Sequence, residues 1–320
     1  MCVVFPEGVS YDDPFAVFHE FEQDGELPFR MPYYTQLAGG EHEDLIQKIE
    51  RMQAEYNKPG SLITCNGFKI LIDGVCSDHT AWMAWPYAND ATTNGMPAMD
   101  LTQVRADLLR ACEAGYPVRI HTIGDAAVHW ALDAFDEAKR RYGDKGLRHV
   151  QEHVETIQPD DLKRFAEIGV VACMQPMHMI LDLEFRSKDD AVGPERLPYC
   201  WPIRSLLDAG AHVALSTDFP VVELDPLHEV YAAVTRQLFD GTPEEGWVPD
   251  QRIALAEALS AYTAGSAYCE GMEDEVGTLE PGKAADVIVL SKNLFAVEPA
   301  EILNTEVDLT VFNGKVVYER

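Results

Sequence analysis

The sequence predicts an α/β protein of the (β/α) barrel type, and three observations carry that reading. Short apolar, strand-like runs alternate with amphipathic helical runs at a spacing of about thirty residues, the pattern of parallel strands joined by crossover helices. Six such strands can be counted between Phe29 and Asp218. Polar residues sit where the strands stop: His121 closes YPVRIH, His153 closes RHVQEH, Asp218 closes HVALSTD, and Lys69 interrupts the apolar run NGFKILIDG. In a parallel barrel the loops that follow the strands build the site on one face, so these four residues are expected to converge.

Taken in order, residues 1–29 are acidic and aromatic, with only the end of a helix suggested in PFAVFHEFEQDG. FRMPYYTQL, from Phe29 to Leu37, reads as the first strand, and EDLIQKIERMQAEY behind it has helical spacing. NGFKILIDG is the second strand. Residues 76–99 are rich in Trp, Pro, Asn and Thr and lack a regular period, which fits a lid or binding segment, or equally a cover over an apolar patch with Trp82 and Trp85. LTQVRADLLRACEAG is an amphipathic helix with Gly115 as its C-terminal stop, and it leads into the His121 strand. A helix from Ala126 to Tyr142 leads into the His153 strand, and QPDDLKRFAEIG, with Pro159 in its first turn, leads into VVACMQP. The residues that follow read as irregular until RSLLDAG and HVALSTDFP. Two helical runs, PLHEVYAAVTRQL and QRIALAEALSAYTAGSAYCEG, come next. The tail alternates apolar and polar residues between Gly and Asn turns, so the chain divides into a barrel over 1–272 and a hairpin-rich β unit over 273–320.

Composition narrows the partners. The 320 residues are 47% hydrophobic, enough for a large core. Lys and Arg number 25 against 54 Asp and Glu, a net charge of −29, and a surface this acidic repels nucleic acid and anionic membranes. Neither is an expected partner. The seven cysteines are odd in number and form no CxxC pair, which argues against a disulfide framework or a zinc ribbon and for a reduced, cytoplasmic setting. No basic residue precedes Arg30 and no apolar run is long, so no signal peptide or membrane span is expected.

Lys, His, His and Asp at strand ends suit a binuclear metal site, since imidazole and carboxylate bind Zn²⁺ and its neighbours and leave a position for water. Lys69 in an apolar strand would otherwise be a costly buried charge. Asp218 could instead be a turn former, and Asp125 at a helix start reads as an N-cap. His178 in QPMH faces either substrate or solvent, with Gln175 beside it. His149, on the same strand face as His153 toward the barrel floor, reads as hydrogen-bonded core. His79, His129, His212 and His228 receive no role.

The stretches FKILIDG, HTIGDAAVHWALDAF, QEHVETIQPDDLKRFAEIGVVACMQPMH, LSTDFPVVELDPL and GTLEPGKAADVIVL resemble the amidohydrolase superfamily. The nearest branch is amidohydrolase family 3, which includes N-substituted formamide deformylases. The resemblance runs in family order from about Lys69 to the C-terminus. It implies a TIM-type (β/α)₈ barrel with a small β-sandwich, and two divalent ions bridged by a carboxylated lysine and a hydroxide. Lys69 matches the bridging lysine, His121 and His153 the ligands of the fifth and sixth strands, and Asp218 the aspartate of the eighth. Asp218 would also take the proton of the attacking water and pass it to the leaving nitrogen. His178 and Gln175 match the end of the seventh strand and would face substrate. The activity implied is metal-dependent hydrolysis of a C–N bond in a small amide or N-substituted formamide.

The chain departs from that pattern at its start. The family's first strand carries a His-X-His pair, and none of the ten histidines here forms one. The barrel is therefore expected to be incomplete, lacking its first two strands and the N-terminal half of the sandwich. Fewer than two metal ions, exposed sheet edges at the first and last strand, and a homo-oligomer or association with a separate N-terminal piece are expected in consequence. Two other readings stay open: a non-catalytic, metal-deficient remnant, and a deaminase or esterase built on the same site.

Overall fold

The computed structural model describes residues 16–38, 43–185 and 187–320. Its centre is a six-stranded parallel sheet whose spatial order follows the chain: β1 (Met31–Gln36), β2 (Ile63–Leu71), β3 (Val118–Thr122), β4 (Val150–His153), β5 (Val171–Met174) and β6 (Val213–Leu215). All six strands read from the sequence are present. They are almost wholly buried, as a parallel sheet covered by crossover helices requires, and their β-branched and apolar residues supply that burial.

Helices α1 (Ala16–Gln23), α2 (Leu45–Tyr56), α3 (Leu101–Ala114), α4 (Asp125–Tyr142) and α5 (Leu162–Ile168) precede or connect the strands. Their ends carry the expected chemistry. Asp44 caps α2 in a reciprocal pair with Gln47, Asp100 caps α3, and Gly115 and Gly169 end α3 and α5 in the left-handed conformation that costs glycine little. After β5 the chain forms α6 (Pro176–Phe185), α7 (Ser187–Val192) and α8 (Ile203–Asp208), so the stretch expected to be irregular is largely helical. The apolar residues of PMHMILDLEF are not confined to one stripe, which is why helical period gives no signal there.

After β6 come α9 (Pro226–Thr235), α10 (Leu255–Ser260) and α11 (Ser266–Cys269), the last two joined by a π turn over Ala261–Gly265. Three antiparallel strands, β7 (Val287–Leu290), β8 (Val307–Phe312) and β9 (Lys315–Glu319), form a separate small sheet. Arg30, just before β1, fastens it by pairing with Asp286 and Asn313 and lying over the Phe312 ring.

The sheet separates two apolar regions. Its outer face and the helices share the large core, whereas Val150, Val171, Cys173 and Ala214 on the inner face form a cluster of their own with Cys269 of α11. Among the described residues no strand pairs with the outer side of β1 or β6. The inner face is nevertheless not bare. The Ser266 hydroxyl donates to the Leu215 carbonyl at 3.0 Å, Arg119 of β3 reaches Glu270 at 2.5 Å, and the Tyr34 hydroxyl of β1 donates to Glu270 at 3.1 Å. The segment around α11 thus lies between the first and last strands and ties them together, a partial seal that strand counting did not anticipate.

Residues 76–99 are held rather than loose. Asp73 accepts from the backbone N–H groups of Trp82, Ile123 and Gly124, and Asp125 accepts from Ala84 at 2.8 Å. Asp125 is therefore not an N-cap. The capping position of α4 is Gly124, which makes no side-chain bond, and the loop has taken the carboxylate that a cap would use. Gly124 is also where the loop comes closest: a Cβ there would stand 2.0 Å from the Trp82 carbonyl oxygen.

Candidate metal centre

The strand register sets the site. His121 lies opposite Glu152, Thr122 lies opposite His153, and Lys69 lies opposite Arg119, so β2, β3 and β4 deliver their polar residues at neighbouring levels of one sheet end. Backbone conformation then turns two of them. His153 and Val154 have φ of 77° and 46°, and Asp218 has φ of 57°, all in the left-handed region. For the β-branched Val154 this is a costly conformation, which the surrounding structure must impose.

Lys69, His121, His153, His178 and Asp218 line one cavity of about 830 Å³, together with Glu155 and Asp182 and with apolar walls that include Ile70, Ile123, Leu181 and Val221. Within it one nitrogen each of His153 and His178 and one carboxylate oxygen of Asp218 lie within 4.8 Å of one another. The His153 and His178 rings stack with centroids 5.6 Å apart, and His178 Nε2 is 3.7 Å from Asp218 Oδ2. His153 Nδ1 and His178 Nε2 are buried and make no hydrogen bond among the described residues. An orphaned buried nitrogen facing a carboxylate, as His178 Nε2 faces Asp218, is what a cation would satisfy, and two imidazoles with one carboxylate are a borderline donor set that suits Zn²⁺ or a similar ion.

The other expected residues adjoin this cluster. His121 meets His153 edge to face at 4.4 Å, while its Nε2 lies 3.5 Å from the Gly74 carbonyl and 3.7 Å from Asp73. Lys69 reaches Glu152 at 4.0 Å, and Glu152 also takes Arg119 at 2.8 Å, so the lysine stands beside a buried ion pair on the inner face. Gln175 does not line this cavity: it lines an adjoining one of about 300 Å³ that shares Lys69, His153 and Asp218, and it donates to the Ser216 hydroxyl at 2.8 Å. His149 is bound as core: it accepts from Val118 N–H at 3.2 Å and stacks on Phe135.

Electrostatics favour uncharged imidazoles here. Burial, reinforced by the Lys69 charge, pulls His121 down to about 4. Burial and the neighbouring His121, His178 and Lys69 hold His153 well below its ordinary value. His178 is the exception. Burial would lower it, but Glu155, Asp218 and Glu229 outweigh that and raise it. Asp218 is raised by burial, which strengthens it as a base.

Sequence reasoning assigned His178 to substrate, whereas the structure places it in the three-residue cluster. It also missed Glu155 and Glu229, buried near His178, and Lys188, buried against Glu155. Glu155 could have been noticed, since it stands two residues beyond His153. Lys188 lies in the stretch that carried no periodic signal.

A parallel barrel sheet that gathers imidazole and carboxylate donors at the carboxyl ends of its strands is the architecture of metal-dependent hydrolases. The model of the amidohydrolase family matches residues 5–318, and the chain belongs to that family. It is 29% identical to the N-substituted formamide deformylase of Arthrobacter pascens, over 92% of this chain and 53% of that protein. It is 28% identical to YtcJ of Bacillus subtilis, over 96% of this chain and 55% of that one. Among solved structures, an uncharacterised metal-dependent hydrolase from Pyrococcus horikoshii superposes with a TM-score of 0.74 at 28% identity, covering 88% of this chain and 54% of the other. The chain thus spans about half the length of these relatives.

Proposed function

We propose that the chain carries a metal-dependent hydrolase site for the C–N bond of a small amide or N-substituted formamide. The observation that carries this reading is the cluster of His153, His178 and Asp218, with its two orphaned nitrogens, in a largely apolar cavity. A divalent ion held by those three residues would polarise the substrate carbonyl and make a water acidic enough to ionise near neutral pH. Zn²⁺ fits the donor set. Asp218, raised by burial, would take a proton from the attacking water and return it to the leaving nitrogen. The apolar lining of Ile70, Ile123, Leu181 and Val221 favours an uncharged substrate. Lys69 is the side chain that carboxylation would turn into a further acidic ligand, and His121 stands next to it.

Similarity to an N-substituted formamide deformylase supports the choice of bond. The test is hydrolysis of a panel of N-substituted formamides, simple amides, esters and amino-heterocycles by the purified chain reconstituted with Zn²⁺ or Co²⁺. Turnover of the formamides that Asp218→Asn abolishes supports the reading. Turnover confined to esters or to amine release from a ring would replace it with esterase or deaminase chemistry.

We also propose that the chain works in association, as a homo-oligomer or with a piece carrying further strands, because β1 and β6 lack outer strand partners among the described residues. Six described cysteines are buried and unpaired, consistent with a reducing, cytoplasmic setting, and no described helix is long and apolar enough to cross a membrane.

A further inference from the structure

Two residues beyond His153, the side chain of Glu155 ends where solvent does not reach, at 4% exposure. Its Oε2 accepts from Lys188 Nζ at 2.5 Å, and its Oε1 lies 3.7 Å from His178 Nδ1. Lys188 is 1% exposed, lies 3.8 Å from Asp182 and sits over the Trp201 ring at 4.6 Å. A buried ion pair of this kind gives little net stability, because desolvating both charges costs about as much as their attraction returns, and an apolar pair of similar volume often serves as well. What the pair does supply is a fixed carboxylate at one nitrogen of His178. The other nitrogen, Nε2, faces Asp218 and has no hydrogen bond among the described residues.

A neutral imidazole carries a single N–H. A carboxylate at Nδ1 holds the proton on that side, fixes the ring plane and leaves the Nε2 lone pair directed at the cluster. We propose that Glu155 is the positioning residue of His178, with Lys188 as the countercharge that keeps the carboxylate in place. The 3.7 Å separation is an ion-pair distance that a small rotation of either group would close to a hydrogen bond. A second constraint acts on the same helix end, where Glu229 of α9 accepts from Met177 N–H at 2.9 Å. The inference rests on the reading of His153, His178 and Asp218 as metal-holding residues, but its first readout does not.

The experiment compares the full chain with the double variant Glu155→Leu, Lys188→Met, which removes both charges and keeps an apolar pair of similar size. In the metal-free proteins, ¹⁵N NMR of the histidines at alkaline pH is expected to show His178 as the Nδ1–H tautomer in the parent and a shift toward Nε2–H in the variant. Titration with Co²⁺ alone, followed by visible absorption, is expected to show affinity about 10- to 100-fold lower in the variant, with a cooperative thermal transition retained. An unchanged tautomer in a folded variant overturns the proposal, and so does an Nε2–H tautomer in the parent, which reads the question even if the variant does not fold. A parent that shows the Nδ1–H tautomer yet takes up no Co²⁺ would sink the metal reading and leave the role of Glu155 standing.

Discussion

His178 Nε2 and Asp218 Oδ2 stand 3.7 Å apart, contributed by elements 40 residues distant in the chain, and they share the cluster with His153. The pair joins the one imidazole in the cavity whose surroundings raise it to the carboxylate that we propose as the base. Replacing Asp218 by Asn keeps the shape and removes the base. Hydrolysis should fall by at least about 100-fold with little change in the melting temperature. Retained activity would show that the proton is handled elsewhere.

Metal content discriminates between the ligand sets. Among the described residues only three donors form the compact cluster, so the chain as purified is expected to hold fewer than two equivalents of divalent ion by inductively coupled plasma analysis. His178→Ala should lower that content further, whereas His178 acting on substrate alone would leave it unchanged. Two tightly bound ions in the parent would mean that Lys69 and His121 act as ligands as well.

Asp125 makes a prediction about stability. Its carboxylate accepts the Ala84 N–H, and substitution by Ala would leave that donor without its partner, at a cost of about 1–3 kcal/mol. Asn, which keeps an acceptor oxygen in place, should cost less. Urea unfolding of the two variants gives the comparison, and equal losses would show that the bond to the loop is not what Asp125 provides.

Glu229 supplies a pH dependence with a definite sign. It is fully buried, and burial pushes its carboxyl from 4.5 up to about 8. The folded state therefore keeps a proton that the unfolded chain releases above 4.5, so this group's contribution to stability declines as pH rises from 4.5 to 8. Glu229→Gln should flatten that decline and make the variant the more stable protein near pH 8, by on the order of a few kcal/mol. The oxygen of the amide can still accept from Met177. Melting temperatures of both proteins across this range should diverge with rising pH, and parallel curves would contradict the assignment.

The two sheet edges lead to a prediction about assembly. Beyond them, Ile288, Val289, Val316, Val317 and Tyr318 of the small sheet are exposed, an apolar surface that favours contact with another chain. Light scattering on the purified chain is expected to show a species larger than 35.7 kDa, or instability that a companion piece relieves. A soluble monomer of that mass with one cooperative transition would show that the segment around α11 seals the sheet well enough alone.

Much of this architecture was legible because parallel strands announce themselves twice, by apolar runs and by the polar residue that ends each run. His121, His153 and Asp218 were found in that way, Lys69 by the charge it sets inside an apolar run, and all four line the cavity. His178 was harder to place because it lies in the first turn of α6, whose apolar residues leave no single stripe to mark a helix. Asp125 was misread because a local rule for helix starts was applied where a loop 41 residues upstream competes for the same carboxylate. Glu155 and Lys188 meet across 33 residues, and neither sits in a motif that would reveal the other.

The bond between Tyr34 and Glu270 spans 236 positions of the chain. The residue that bridges β1 and β3 from the far side of the sheet is thus made long after the strands it joins. During synthesis, β1 to β6 must wait with their inner face turned to water until the segment around α11 has left the ribosome. Contacts of such separation slow folding and lengthen the time in which sheet edges can meet the wrong partner. Nascent chains stalled before Ser266 should therefore bind chaperones or aggregate, and those extended beyond Glu270 should resist protease, so the commitment to the native fold awaits the synthesis of Glu270.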